Sequence, residues 1–356
     1  MAKLIEPRVA SAVARRVGGD PRDRTGAIRA LESYLAEAVP RAEELVAQAS
    51  GIPAPPPVRW GVISRGDWAA ANVASMSALI KPLTDKVAHR LYSMPAPARI
   101  AQRMIVSVEL GVLLGYISRR VLGQYDILVP DEVLPRSRRA AGGGAPLYFV
   151  GVNMVEIGNR FRFVPDEFAL WVAVHEVTHR FQFAGVPWLK PHFFSLVETY
   201  LSSVEIDSRA LSKRLGTAAR KLVSGNLPPE ERNPVYLLAS EEQRVALDQI
   251  QALMAVVEGH GNYVMDAVGA EVIPSFRRMR STFEGRRKQS NMIQRIINNV
   301  IGLEMKLRQY ELGQAFCERI AKQGGPSAVG YLWRSPEHVP TLEELRSPET
   351  WLNRVA

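Results

Sequence analysis

The stretch WVAVHEVTHRFQF, residues 171 to 183, restricts this chain more than any other. Its apolar residues, Trp171, Val172, Val174, Val177, Phe181 and Phe183, surround most of a helix, so the segment belongs inside the protein and takes His175, Glu176 and His179 in with it. Buried imidazoles and a buried carboxylate are costly without partners, so any fold that contains this helix must bring something to these three side chains. Residues four apart share a helix face, which lets His175 and His179 present their imidazoles to one point. Glu176, beside the first histidine, can reach a water at that point without being a ligand. This H-E-x-x-H pattern supplies two metal ligands and a general base: zinc acidifies bound water to a pKa of about 7, and the glutamate takes the proton as a carbonyl is attacked.

A catalytic zinc needs a third protein ligand, with the fourth position left for water. Glu198 follows His179 after eighteen intervening residues, a spacing at which glutamate-ligand zinc peptidases place their third ligand, but Ser202 and Glu205 share its helix face and make that face read as a solvated edge. Glu258 and His260 lie further on, in VVEGHGNYV. The face of Glu258 carries Met254, Ala255 and Met265, so a carboxylate there calls for a cation or a donor, and Gly259 and Gly261 leave room for another helix or a substrate. Glu258 is therefore the preferred third ligand and Glu198 the second choice, while His260 lines the site or replaces them as ligand. His260 and Tyr263 are candidate donors to the oxyanion that forms on attack. Asp266 is a candidate acceptor behind a ligand histidine, and His192 either reaches the site or caps its own helix. A set of two histidines and a carboxylate also suits iron.

Composition narrows the setting. The chain has 356 residues, 47% apolar and 23% charged, a globular mix with enough length for a large core. Its single cysteine, Cys317, excludes an internal disulfide and a cysteine-rich zinc site, so a metal must rest on His and carboxylates. MAKLIEPRVASAVARR has no apolar core of a secretory signal, and the expected compartment is the cytoplasm. MIVSVELGVLLGYI, residues 104 to 117, is shorter than the ~20 residues of a membrane span and contains Glu109, so it is read as a buried helix and no membrane partner is expected. The net charge of +9 is spread along the chain, an argument for solubility rather than for nucleic-acid binding, which is not expected. FRRMRSTFEGRRKQS, 276 to 290, reads as a solvated loop and helix start.

Along the chain, residues 25 to 49 show helical spacing with Pro40 as a break, so a pair of helices is expected, and GIPAPPPVRW then forms a rigid connector. Residues 67 to 92 and 96 to 123 read as two helical segments. PRSRRAAGGGAP, 135 to 146, marks a flexible loop that divides a helical N-terminal region, 1 to 145, from a metal-binding region, 146 to 356. LYFVGVNMVEI, 147 to 157, is the one convincing strand and stands as a candidate edge for an extended peptide substrate. VPDEFALW opens the metal-site helix, with Pro165 near its first position and two acids in its first turn. Long helices follow at 191 to 215, 240 to 269 and 291 to 323. The fold class expected is mainly α with a small β element, the two regions packing as one compact unit.

HEVTHRFQFAGVPWL, VVEGHGNYVMDAVG, the RRK at 286 to 288 and LEMKLRQYELGQAF together resemble the zincin-like metallopeptidase type 2 family, bacterial proteins often labelled as hydrolases associated with biosynthesis of a deazaflavin redox coenzyme. The resemblance runs from GDWAAANVASM at 66 to 76 through LWRSPEHVPTLEEL near the end. It implies a mostly helical unit with a zincin-like active-site helix, zinc at His175 and His179, Glu176 as base, and the family's downstream E-G-H or E-G-Y element at Glu258 and Gly259. The coenzyme association comes with the family's naming alone.

Two functions follow from these residues. The first is a zinc-dependent hydrolase, a metallopeptidase or amidase acting on a peptide or small amide. The second is a non-catalytic scaffold with a structural or absent metal that binds a protein partner. Glu176 favours the first, since a structural site has no use for a base.

Overall fold

The structure, a computed structural model, describes residues 4–19, 25–127, 147–203, 239–288 and 303–355. It is mainly helical with one three-stranded sheet, as expected. The chain forms two compact units, Met1–Val186 with Ala267–Met279, and Pro187–Asp266 with Arg280–Ala356. The boundary expected near 145 and the glycine-rich loop 135–146 lie outside the described residues, as do the expected helix beyond 203 and the start of the one at 291.

In the first unit, α1 (Pro7–Gly18) and α2 (Thr25–Ala49) precede β1 (Trp60–Ile63). The expected break at Pro40 does not occur, and α2 runs through it. Pro40 is exposed, while Leu31, Leu35, Ala38, Val39, Ala42 and Val46 form a buried stripe. Burying that many apolar side chains at ~25 cal/mol per Å² outweighs the ~3 kcal/mol that an interior proline costs a helix. After β1 come α3 (Arg65–Leu79), α4 (Lys81–Ser93) and α5 (Ala96–Ser118), then β2 (Gly123–Tyr125) and β3 (Leu147–Val150).

The sheet order is β1-β3-β2, with β1 parallel and β2 antiparallel to β3, so that Val62 and Gly123 both stand opposite Phe149. The four residues of β3 are all buried, the unbroken apolar pattern of a strand covered on both faces. The strand expected over 147–157 is therefore four residues long, and the rest is α6 (Gly151–Phe161). Asn153 sets this change of direction: fully buried, its amide donates to the carbonyls of Ser118 at 2.7 Å and Val121 at 2.5 Å and accepts from Arg65 Nε at 2.6 Å. Because β3 is paired along both sides, it has no edge to offer a substrate. Among the described strands, β1 and β2 are the outer ones.

Helix α7 (Pro165–Gly185) packs against α2, β2 and β3. Pro165 occupies its first turn, and Glu167 there accepts from the backbone N–H of Ser275 at 2.8 Å and from the Ser275 hydroxyl. Helix α5 departs from expectation. It is 23 residues long and, among the described residues, the one helix long and apolar enough to cross a membrane by length and composition, yet only 22% of its most apolar window is buried. It rests on α1 and α3 by one face, so it is not the buried helix its composition suggests.

The second unit holds α8 (Leu189–Ser202), α9 (Glu241–Val272) as far as Asp266, α10 (Phe276–Lys288) from Arg280 onward, α11 (Leu303–Gly324), α12 (Pro326–Val329), α13 (Leu342–Arg346) and α14 (Pro348–Val355). Residues 276–288 are thus helical rather than a loop. Phe316, Ile320, Leu332, Leu345 and Trp351 are buried here, with the rings of Phe316 and Trp351 edge to face at 5.3 Å. Thr341 and Glu344 form a capping box at α13, and Arg354 Nε donates to Glu344 at 2.6 Å. Cys317 is buried, and burial pushes its thiol far up, so it serves as a small core residue.

Candidate metal centre

The centre starts from α7. Its large apolar side chains, Phe168, Leu170, Val174, Val177 and Phe181, are buried around most of the helix. The two histidines occupy the remaining stripe and are half-buried, while Glu176 between them is buried. Their rings stand edge to face, centroids 4.6 Å apart and planes 81° apart, and the two Nε2 atoms converge to 3.2 Å.

The far side of His179 decides what those nitrogens offer. Its Nδ1 lies 2.9 Å from Gln182 Oε1, and an Nδ1–H donated to that oxygen leaves the Nε2 lone pair to a ligand. Gln182 is fully buried and one turn beyond His179, a placement that holds the ring's orientation. The donor set fits a metal: two nitrogens ~2.0–2.1 Å from one tetrahedral cation lie roughly 3.3 Å apart. An ion held by these two nitrogens takes a further protein ligand, for which the sequence offers Glu258, Glu198 and His260.

Glu176 is confined from the sheet side. Gly123 opens β2, and a Cβ there would stand 2.5 Å from Glu176 Cγ and 2.9 Å from its Oε1. Only glycine permits this approach, so the strand backbone abuts the carboxylate that stands beside the first histidine. Sequence reading missed both Gln182 and Gly123. A glutamine three residues after a ligand histidine is a usable signal, and glycine within a strand marks close approach, but residues 96–123 read as the continuation of a helix.

In the second unit, Glu258 is half-buried on α9 and its neighbour Gly259 is where α9 crosses α11. A Cβ on Gly259 would stand 2.2 Å from the carbonyl carbon of Gly313, and one on Gly313 would overlap the Ala255 carbonyl. The room expected beside Glu258 is thus taken by another helix. His260 is fully buried, its ring edge to face with Trp333 at 4.9 Å and tilted at 6.4 Å from Tyr263. Burial, and secondarily Cys317 and Glu318, raise the Tyr263 hydroxyl above its ordinary range, so it stays protonated.

The other sequence candidates resolve as follows. Glu198 is exposed, the surface carboxylate its helix face suggested. Asp266 accepts from Gln314 at 2.7 Å and pairs with Arg280, so it is committed to these neighbours rather than placed behind a ligand histidine. His192 packs edge to face with Trp188 at 5.8 Å, and burial lowers its pKa, against which Glu337 acts weakly.

Comparison with known proteins adds three findings. A family model described as zincin-like metallopeptidase matches residues 5–352. A crystal structure from Chloroflexus aurantiacus, described as a "putative hydrolase with a novel fold", is similar over 98% of each chain with 28% identity and a TM-score of 0.69. A search of curated proteins gives no match.

Proposed function

Because the chain belongs to the family of zincin-like metallopeptidases, we propose that it is a zinc-dependent hydrolase, a metallopeptidase or amidase cleaving a peptide or small amide. His175, His179 and Glu258 hold the metal and Glu176 is the general base. The observation that carries this reading is the convergence of the two histidine Nε2 atoms, 3.2 Å apart, on a helix that also buries Glu176. The hydrolase described from Chloroflexus aurantiacus, similar over its full length, supports the reaction class.

When bound, zinc supplies Lewis-acid polarisation and acidifies water. The protein's own groups do the rest. His179 is oriented by Gln182. Glu176 removes one proton from the attacking water as the C–O bond forms and returns it to the nitrogen of the leaving amine, after which the amide C–N bond breaks and the oxyanion reverts to a carbonyl. Gly123 keeps the carboxylate in place, since any larger residue would push it aside. Tyr263, protonated at neutral pH, is the proposed donor to the developing oxyanion, with His260 the second candidate for that role. Of the described strands that border α7, β2 is an outer one, and it takes over from β3 as the proposed edge for an extended substrate.

Metal content per chain by elemental mass spectrometry on protein purified without added metal tests the ligands. About one zinc is expected in the wild type and much less in Glu258→Ala. Glu176→Gln is expected to keep its zinc while cleavage across a panel of peptides and small amides falls by about 10²–10⁴. Iron or manganese in place of zinc would change the metal. Zinc retained with unaltered hydrolysis in Glu176→Gln would remove the base, and a wild type without metal would leave the scaffold reading.

A further inference from the structure

Among the described residues eight large apolar side chains stand exposed, and five of them, Ile100, Met104, Ile105, Val108 and Val112, lie on α5. Ile105 is 58% exposed and Ile100 52%. Five scattered residues would need no explanation, whereas five on one helix form a patch of the kind that marks an interaction surface.

What α5 turns inward is as informative. Its buried residues are Ser107, Gly111, Leu114, Gly115 and Ser118, and those of α1 are Ala10, Ala14 and Gly18. A Cβ on Gly111 would stand 2.6 Å from the Ala10 carbonyl oxygen, and one on Gly115 2.8 Å from that of Ala14. The two helices therefore meet backbone to backbone through small residues. A helix surrounded by water normally sends its large apolar residues inward and its polar ones outward. Helix α5 packs inward by these small residues and by Leu114, with Val106, Leu110 and Ile117 partly buried against the same core, and still leaves five large apolar side chains facing outward beside the exposed Glu109.

Charge identifies the surface that fits. From Ala96 to Arg120 the charged residues are Arg99, Arg103, Glu109, Arg119 and Arg120, with arginines at both ends. Arg119 and Arg120 are exposed, and the Arg120 guanidinium lies 3.6 Å over the ring of Tyr116. A second copy fits poorly: pairing α5 in parallel sets like ends together, and pairing it antiparallel sets Arg99 against Arg119 and Arg120, so both arrangements repel. A helical protein partner wants a groove, whereas a single exposed helix offers a ridge. A lipid phase conforms to a convex ridge, and anionic headgroups match its basic ends.

We propose that α5 docks this protein on an anionic bilayer surface, with Ile105, Val108 and Val112 among the outer parts of the acyl chains and the exposed Arg119 and Arg120 at the phosphates. The helix stays packed on α1 and α3, so it lies in the interface and does not span. This departs from the absence of a membrane partner expected from sequence, because the outward turn of the large residues appears only in the fold. It is independent of the metal centre.

Flotation of the full chain with vesicles tests the proposal. Binding is expected to vesicles of phosphatidylcholine mixed with phosphatidylglycerol and to be much weaker with phosphatidylcholine alone. Ile105→Ser with Val112→Ser leaves the net charge unchanged and is expected to lower partitioning by about tenfold or more with an unaltered melting temperature. If melting shifts, Met104→Ser with Val108→Ser takes its place. Arg119→Ser with Arg120→Ser is expected to weaken binding and flatten its salt dependence. No flotation with anionic vesicles would overturn the proposal, as would flotation indifferent to the apolar variants, which is mere adsorption of a basic protein. A dimer in light scattering that Ile105→Ser with Val112→Ser dissociates would overturn it in favour of a second copy.

Discussion

Helix α7 buries twelve of its 21 residues, among them Phe168, Leu170, Val174 and Phe181, whereas α5 buries five of 23, four of them Gly or Ser. Both are long apolar segments of the same unit, and composition alone assigns both to the interior. Their neighbours separate them. Helix α7 has α2 on one side and the sheet on another, so its large side chains are enclosed and its polar groups need partners inside the protein, as Arg180 finds in Glu43 and the Pro56 carbonyl. Helix α5 rests on α1 by a face of mostly small residues, with Leu114 its one fully buried large side chain. Apolar content states how much a helix gains from leaving water, and the shape of its packed face decides whether it can.

That contrast can be broken at four points. The largest effect belongs to Val177→Asp, which places a charge at a fully buried position of α7. It is expected to cost about 4 kcal/mol or more in urea unfolding. A small cost there would mean that α7 is not enclosed. Next is the small face of α5. Gly111→Ala gains about 1 kcal/mol in helix propensity but sets a methyl 2.6 Å from the Ala10 carbonyl oxygen, and a net loss of about 1–3 kcal/mol is expected from the same measurement. A stabilised variant would show that α1 and α5 can separate at little cost.

Gln182→Ala removes the acceptor behind His179. Titration against a competing chelator should show metal affinity lowered by about 10–100-fold, and an unchanged affinity would mean that the histidine needs no help in holding its tautomer. The smallest effect is expected for Val112→Ser on the exposed face of α5, within about 0.5 kcal/mol of wild type. A loss as large as that of a core valine would show that something covers this face.

The sequence was most legible where a local pattern carries its own chemistry. His175, Glu176 and His179 were readable as a centre because helix geometry fixes the relation of residues one and four apart, and Pro165 with its two following acids marked where that helix begins. Glu258 stood out as a candidate because a carboxylate on an apolar face is anomalous. Gly123 was not, since its role exists only where β2 meets α7, and nothing within LGQY points to position 176. Pro40 misled because its cost is local and visible while the burial that outweighs it comes from contacts with other helices. The 147–157 strand misled for a related reason: the same apolar run satisfies a buried strand and the first turns of a buried helix, and Asn153, held by two carbonyls and Arg65, sets where one becomes the other.

By itself, then, the sequence determined a mainly helical chain, a helix that must be buried, and two histidines and a glutamate on it whose spacing suits a metal and a base. Those properties depend on side-chain chemistry and the helical repeat, which a few neighbouring residues suffice to define. The tertiary structure decided that Gln182 stands behind the ring of His179, that glycine alone can stand over Glu176, that Glu198 is exposed, and that α5 faces outward with several of its large apolar residues. Each of these depends on distances between groups remote in the chain or on which face finds a partner, and a linear order of residues does not contain either.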